Sequence, residues 1–202
     1  VDPKTHKYLT TGRKENKFGV PWDDVDEAAE LARTLEGVRL TGVDFHLGSQ
    51  ILSHEPYVLA LKQVRELVSR LRDRGFEIRR LDIGGGLAAR YDHKQNPQTP
   101  DEFHDGIVHL IRDLDLELIL EPGRFIMANA GVLLTEVQFL KNVPGRTFAI
   151  VDAGMNDLVR PALYEAYHEI EPVEACGGPA DTPIDVVGPV CETGDFLGKG
   201  RE

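Results

Sequence analysis

Segments typical of β-strands alternate with segments typical of α-helices along the chain up to residue 124. The strand-like runs are "VRLTGVDFH" (38–46), "FEIRRLDIGGG" (76–86) and "LELILEPGR" (116–124). The helix-like runs cover residues 23–36, 55–74 and 99–114. Because neighbouring parallel strands are joined by a helical crossover, this order predicts parallel βα units and an α/β fold.

Two of the helix-like runs carry clear boundary signals. Apolar residues recur at spacings of three and four along 55–74, and Gly75 follows the run. Thr99 and Glu102 form a capping-box pattern, and Pro100 suits the first helical position. These signals predict where both helices begin or end.

The pattern changes after Ala130. Three strand-like runs follow without a long helix-like run between them, at 131–143, 147–154 and 184–190. A loop rich in Gly and Pro, 177–183, precedes the last of them. The change predicts a domain boundary near Ala130, with one domain at 1–130 and a β-rich domain at 131–202.

Composition argues against several classes of function. The net charge is −11 and the 23 Lys and Arg residues are scattered, unlike a nucleic-acid surface. No apolar run approaches the roughly 18 residues of a membrane span, and no secretion signal is visible. The two cysteines have neither a CxxC spacing nor a nearby His pair, so no metal site is predicted. A reducing, cytoplasmic setting is the default, with a disulfide as the alternative.

Polar residues cluster where each predicted strand of the first domain ends. The first strand delivers His46 and Ser49, the second Gly84 to Gly86, and the third Glu121 to Arg124. Active sites of parallel α/β barrels lie at the carboxyl ends of the strands. The three clusters therefore predict one site.

Each cluster has a functional and an ordinary interpretation. Three successive glycines let backbone N–H groups approach an anion such as phosphate, or they form a flexible turn. Arg124 can bind a phosphate or a carboxylate, or form a surface ion pair. His46 can act in a site, or be a hydrogen-bonded core histidine. The glycines lack the GxGxxG spacing, which disfavours a dinucleotide.

One ligand would use all of these groups together. Pyridoxal 5'-phosphate offers a phosphate to the glycines and Arg124, and a flat ring on which His46 could stack. Glu121 would keep its ring nitrogen protonated. We therefore predict this cofactor.

The residues around Cys191, in "GPVCETGD", leave its role open between core residue, disulfide half, metal ligand and reactive group.

Five blocks of the chain resemble one enzyme family, the diaminopimelate decarboxylases, which are barrel-type pyridoxal-phosphate enzymes. The blocks are "FHLGSQI", "LDIGGGLAARY", "EPGRFIMANAGVLLTEV", "VDAGMNDLVRPALYEAYHEI" and "VGPVCETGDFL". Related ornithine and arginine decarboxylases share the His, GGG and EPGR elements but typically carry a Cys-Asp-x-x-Asp block. The Cys-Glu-Thr-Gly-Asp form, with "RPALY", resembles the diaminopimelate branch.

The resemblance implies the C-terminal part of a (β/α)8 barrel followed by part of a β-rich second domain. It implies decarboxylation of meso-2,6-diaminopimelate to L-lysine and CO₂ by a cytoplasmic homodimer with shared active sites. An ornithine- or arginine-type decarboxylase and a non-catalytic homologue of the same fold are the alternatives.

The resemblance also implies roles for individual residues. The cofactor would be bound by His46, Ser49, Gly84, Gly85, Gly86, Glu121, Gly123 and Arg124. The substrate would be bound by Arg124, Arg160, Tyr164 and Glu192. Cys191 and His46 would be catalytic, and Cys191 and Glu192 would reach the partner subunit's active site. A buried structural thiol is the alternative for Cys191.

One family element has no counterpart in the sequence. The Schiff-base lysine of the family lies in a Tyr-Ala-x-Lys-Ala-Asn type motif, which this chain does not contain. The opening strands of the barrel and the end of the second domain have no counterpart either. We therefore expect an internal fragment of a longer decarboxylase that is inactive alone.

Overall fold

The computed structural model describes residues 17–174 and 182–201. The described chain divides into two compact units, each with its own sheet and its own apolar core. Among the described residues, the first unit contains 17–89 and 96–130, and the second contains 90–95, 131–174 and 182–201. The short segment 90–95, which lies within the predicted first domain, thus belongs to the second unit.

In the first unit, short parallel strands alternate with helices. Its elements are α1 (Val25–Thr34), β1 (Gly42–Asp44), α2 (Glu55–Asp73), β2 (Arg80–Asp82), α3 (Pro100–Ile107), β3 (Glu117–Ile119) and α4 (Arg124–Met127). Three short 3-10 turns accompany them, at Trp22–Asp24, Val108–Leu110 and Arg112–Leu114. The predicted alternation is confirmed, although each strand is shorter than its strand-like run.

The three strands form one parallel sheet in the order β1-β2-β3. At its centre Val43, Leu81 and Leu118 lie side by side in register. Because all three strands run in the same direction, their carboxyl ends meet at one edge of the sheet. The segments that follow the strands therefore start from that edge.

Helix α2 supplies most of the core of the first unit. Its apolar residues recur at three-to-four spacing, and those that are buried are Tyr57, Ala60, Leu61, Val64, Leu67, Val68 and Leu71. They join Leu81 and Ile83 in one apolar cluster. Each fully buried leucine contributes on the order of 2 kcal/mol. Gly75, at φ +85°, lies two residues beyond the helix, where the predicted stop was placed.

Helix α3 begins as predicted and ends early. The Thr99 hydroxyl accepts from the Glu102 N–H at 3.2 Å, and the Thr99 N–H donates to the Glu102 carboxylate at 2.7 Å. The bond from the Thr99 N–H, and a second one from the Thr99 hydroxyl at 3.0 Å, lower the pKa of the Glu102 carboxyl. The prediction of one helix to residue 114 is wrong, because 3-10 turns follow Ile107. In these more tightly wound turns Leu110 and Ile111, which are adjacent in the sequence, both pack against the core.

The second unit has a four-stranded mixed sheet in the order β4-β5-β6-β7. Its elements are β4 (Val137–Val143), β5 (Arg146–Val151), α5 (Arg160–Tyr164), β6 (Ile184–Val187) and β7 (Phe196–Arg201). Strands β5 and β6 are parallel, and the other two pairs are antiparallel. The three predicted strand runs are confirmed, whereas β7 and α5 were not predicted. The predicted loop at 177–183 lies largely outside the described residues.

Within the described ranges, no helix combines the length and the apolar character that a membrane crossing needs.

Candidate functional site

The backbone ladder of the first unit continues past the ends of its strands. The N–H of Phe45 donates to the Asp82 carbonyl at 3.1 Å, and the N–H of Glu121 donates to the Gly84 carbonyl at 3.0 Å. These bonds bring the segments after β1, β2 and β3 together. His46, the glycines and Glu121 therefore lie at the same edge of the sheet.

The glycine run is required by close approach of the chain to itself. A Cβ atom on Gly85 would overlap the carbonyl oxygen of Glu121. One on Gly84 would lie 2.7 Å from His46 Nδ1, and one on Gly86 would lie 2.6 Å from the Tyr57 hydroxyl. Gly84 and Gly86 also have φ of +68° and +106°. A merely flexible turn would not need glycine at all three positions.

Three side chains hold the glycine run in place. The Gly84 N–H donates to Asp82 Oδ1 at 2.9 Å, and the Gly85 N–H donates to His46 Nδ1 at 3.2 Å. The buried Tyr57 hydroxyl donates to the Gly85 carbonyl at 2.7 Å. Burial raises the pKa of Tyr57, so its hydroxyl keeps the proton that it donates. Two of the three glycine N–H groups are thus engaged within the protein.

The loop that carries Ser49 is fastened to the glycine run. The Ile51 N–H donates to the Gly86 carbonyl at 2.8 Å. The Gln50 side chain donates to the Ala89 carbonyl at 2.5 Å and accepts from the Ala89 N–H at 3.2 Å. Ser49 is half-buried in this loop, so its position is fixed relative to Gly86.

Asp44 interacts electrostatically with two further carboxylates and with the exposed imidazole of His46. Burial raises the pKa of Asp44, and the carboxylates of Asp82 and Glu121 raise it further, while His46 lowers it. The side chains of Asp82, Glu121 and His46 are therefore within electrostatic range of Asp44. Since His46 is exposed, its interpretation as a core histidine is wrong. This edge of the sheet favours a positively charged group on a ligand.

Gly123 and Arg124 follow β3. Gly123 immediately precedes α4, and its carbonyl accepts the N–H groups of Ile126 and Met127 at 3.2 and 3.1 Å. Arg124, half-buried, is the first residue of that helix. Glu121 and Arg124 are only three residues apart, so both side chains belong to the short segment that follows β3.

In the second unit, Arg160 lies at the start of α5 and is held by two aromatic side chains. Its guanidinium lies 4.8 Å from the centre of the Tyr91 ring. Its Nη1 contacts His168 Nε2 at 2.9 Å. Because arginine only donates, Nε2 accepts and the ring proton lies on Nδ1. Tyr164, half-buried, ends the same helix.

Cys191 and Glu192 lie on an exposed loop before β7. Cys191 is an exposed free thiol, so its interpretation as a buried structural residue is wrong. The Glu192 carboxylate accepts from the Gly194 N–H and the Thr193 hydroxyl, both at 3.2 Å. Both side chains can therefore meet a ligand. Within 17–174 and 182–201, no group of three or more His, Cys, Asp or Glu residues could hold a metal ion.

Several supporting residues were not predicted. Asp82 directly precedes the glycines in "LDIGGG" and could have been recognised as a local turn partner. Tyr57 and His168 had no such signal, because they reach their partners from 28 and 8 residues away. Asp44 becomes recognisable only in the folded chain, where burial and the carboxylates of Asp82 and Glu121 raise its pKa.

A family model, described as the pyridoxal binding domain of pyridoxal-dependent decarboxylases, matches residues 1–128. The chain belongs to this family. The matched range contains the strand-end cluster of His46, the glycines, Glu121 and Arg124. The predicted resemblance to barrel-type pyridoxal-phosphate decarboxylases is therefore confirmed.

Individual members of the family are similar over the whole chain. The diaminopimelate decarboxylase of Aquifex aeolicus is 47% identical over 202 residues, which cover 100% of this chain and 48% of that protein. The crystal structure of diaminopimelate decarboxylase from Helicobacter pylori complexed with L-lysine matches with a TM-score of 0.91 at 40% identity, over 99% of this chain and 49% of that one.

A more distant member is the lysine/ornithine decarboxylase from Vibrio vulnificus, complexed with cadaverine. Its structure matches with a TM-score of 0.80 at 25% identity, over 91% of this chain and 50% of that one. The chain spans about half the length of the curated relatives it matches. The predicted fold class, part of a (β/α)8 barrel followed by part of a β-rich domain, is confirmed.

Proposed function

We propose that the protein carrying this chain converts meso-2,6-diaminopimelate to L-lysine and CO₂, with pyridoxal 5'-phosphate as its cofactor. The observation that carries the proposal is the meeting of His46, the glycine run and Glu121 at one edge of a parallel sheet in a chain of this family. The names of the Aquifex and Helicobacter relatives support the substrate.

The first unit offers groups that suit the cofactor. The negative charge of Asp44, Asp82 and Glu121 favours a protonated ring nitrogen, and we assign its hydrogen bond to Glu121. When bound, the cofactor supplies an electron sink for the bond that breaks at the substrate's α-carbon. The imidazole of His46, fixed through Nδ1 and exposed, can stack on the ring.

The phosphate would be held by the remaining groups at the same edge. The N–H groups of Gly84 and Gly85 are engaged within the protein, so these two glycines shape the loop. We assign direct phosphate contacts to Gly86 and to three further residues of the neighbouring segments. These are Ser49, Gly123 and Arg124.

The second unit offers groups for the far end of the substrate. Diaminopimelate carries a carboxylate and an ammonium group at the end that does not react. Arg160, with the Tyr164 hydroxyl, supplies donors for that carboxylate, and Glu192 supplies an acceptor for the ammonium group. Arg124 is a second candidate for a substrate carboxylate. The exposed thiol of Cys191 can hold the proton that replaces the lost carboxylate.

We further propose a cytoplasmic homodimer in which the loop of Cys191 and Glu192 completes the partner subunit's cofactor site. The exposure of both side chains and the free thiol support this. In the whole protein, Glu121→Ala and Cys191→Ala should each be inactive alone. Mixed subunits of the two variants should regain activity, and a mixture that stays inactive would argue against shared sites.

The activity itself is tested by incubating the whole protein and the cofactor with diaminopimelate, ornithine or arginine, and measuring CO₂ and the amine product. Lysine from diaminopimelate is the expected result. Turnover of ornithine or arginine without turnover of diaminopimelate would assign the protein to the related branch. No turnover of any of the three would favour a non-catalytic homologue.

A further inference from the structure

The loop of Cys191 and Glu192 contains a buried carboxylate that the proposed reaction does not use. Asp195 is only 3% exposed. Its Oδ1 accepts the N–H of Met155 at 2.6 Å, and its Oδ2 accepts the N–H of Val190 at 2.8 Å. Among the described residues, its partners are main-chain groups from two separate segments of the second unit.

One of these segments leads directly into Arg160. Met155 belongs to a turn closed by the Asp157 N–H, which donates to the Gly154 carbonyl at 2.9 Å, and by the Gly154 N–H, which donates to Asp157 Oδ2 at 2.9 Å. Helix α5 begins three residues after Asp157, at Arg160. Met155 and the start of that helix therefore lie on one short continuous segment.

The other segment presents Cys191 and Glu192. The Gly188 N–H donates to the Asp195 main-chain carbonyl at 3.2 Å, and the Asp195 N–H donates to the Glu192 carbonyl at 3.1 Å. The loop is thus closed on itself, and the Asp195 side chain fills its inside. Val190, whose N–H the carboxylate binds, directly precedes Cys191.

The two segments touch only because glycines border the carboxylate. A Cβ on Gly188 would overlap Asp195 Oδ2 and lie 2.5 Å from the Gly154 Cα. A Cβ on Gly154 would lie 3.2 Å from the same oxygen and 3.0 Å from Val190 Cγ2. The carboxylate therefore fits a space formed by both backbones at once.

We infer that Asp195 is a positioning residue that fixes the loop of Cys191 and Glu192 to the turn leading into Arg160, and so sets how both segments are presented to substrate, the loop in the partner subunit's site and the turn in its own. Its two oxygens each accept one N–H, which a carboxylate can do and an amide cannot. In Asp195→Asn, one of the two N–H groups would face an NH₂ group, whichever way the amide is turned. The effect on catalysis rests on the proposed function, whereas the fixing of the two segments does not.

Asp185 provides a matched control. It is 5% exposed in the same sheet, accepts the Gly200 N–H at 2.8 Å and pairs with Arg146. Asp185→Asn removes the same charge from the same unit, but its partners lie in neither substrate segment. If Asp195 only stabilises the fold, the two variants should behave alike.

The test compares both variants in the cofactor-loaded whole protein. In Asp195→Asn we expect amide hydrogen exchange to rise by about tenfold or more at whichever of Met155 and Val190 faces the amide NH₂ group, from the loss of a bond to a charged acceptor. The KM for diaminopimelate should rise by a similar factor, with the cofactor absorbance unchanged. Asp185→Asn should change neither quantity more than about twofold.

Three results would overturn the inference. They are unchanged exchange at both amides, a KM equal to that of Asp185→Asn, and a rise in exchange spread evenly over the second unit. If Asp195→Asn does not fold, Gly154→Ala pushes the same segments apart and should raise exchange at Val190 and the KM. If the wild type does not act on diaminopimelate, the proposed function fails, while hydrogen exchange still decides the role of Asp195.

Discussion

The two units hold their candidate residues by different means. In the first, parallel strands deliver His46, the glycine run and Glu121 to one edge, and main-chain bonds between neighbouring segments fasten them there. In the second, the turn leading into Arg160 and the loop of Cys191 are fastened to each other by one buried side chain, Asp195. The first arrangement follows from the topology of the sheet, and the second depends on a single carboxylate.

This difference has a consequence for mutation. In the first unit, a change that moves the glycine run also disturbs the packing of the chain around it, so it should affect stability and cofactor binding together. A change in the second unit can move substrate recognition and leave the sheet intact. Variants in each unit therefore test this difference.

The largest effect is expected for Gly85→Ala. The added Cβ would overlap the Glu121 carbonyl oxygen, and backbone cannot rotate away as a side chain can. We expect a loss of about 3 kcal/mol or more in the free energy of unfolding and little bound cofactor. Denaturant unfolding and the cofactor absorbance spectrum of the whole protein measure both.

Gly131→Ala is the control for this variant. A Cβ on Gly131 meets nothing within 4 Å, and its φ is not positive. Its stability should stay within about 0.5 kcal/mol of the wild type. Equal losses in the two variants would mean that the close approach at Gly85 is not what requires glycine.

A smaller effect, confined to the substrate, is expected for Glu192→Gln in the second unit. Removing one partner of a desolvated charge pair costs on the order of 2–5 kcal/mol. We expect kcat/KM for diaminopimelate to fall by roughly 30-fold or more, with normal cofactor content. The exposed Glu171→Gln is the control and should change little. Loss of cofactor from the Glu192 variant would contradict the division between the units.

The same contrast explains what the sequence could predict. The strand-end cluster was predictable because His46, the glycines and Glu121 each follow a β-rich run. Neighbouring parallel strands then bring the three segments to one edge of the sheet. The fixing of the Cys191 loop was not, because Asp195 reaches Met155 across 40 residues. Strand β7 was missed because "FLGKGR" holds two glycines and no β-branched residue. Its pairing with β6 stabilises an extended conformation that its own residues favour only weakly.

A moderate effect is expected for Tyr57→Phe in the first unit. The variant keeps the ring packed edge-on against Phe103, 5.0 Å away, but leaves the buried Gly85 carbonyl without its donor. A lost bond to a buried acceptor costs about 1–3 kcal/mol of stability. Cofactor affinity should fall less than in Gly85→Ala. Thermal unfolding and cofactor titration provide the measurements, with the exposed Tyr167→Phe as the control.

The smallest effect is the pH dependence of an ion pair that belongs to neither set of candidate site residues. The Arg65 guanidinium binds Asp113 with two hydrogen bonds, at 2.5 and 2.7 Å, and lowers the pKa of Asp113 from 3.8 to about 2. A lowered folded-state pKa stabilises the fold above the unfolded value, and that contribution is lost as pH falls through the folded value. The stability difference between wild type and Asp113→Asn should therefore be constant at neutral pH and vanish between about pH 4 and 2. A difference that persists at pH 2 would contradict the pairing.

The central claim is that the second unit recognises the substrate's far carboxylate through Arg160, separately from cofactor binding. The direct test is the ratio of kcat/KM for diaminopimelate to the amount of bound cofactor, in wild type and Arg160→Ala. We expect the ratio to fall by roughly 30-fold or more, through loss of activity on diaminopimelate, with the cofactor spectrum unchanged. An unchanged ratio, or loss of cofactor from the variant, would contradict the claim.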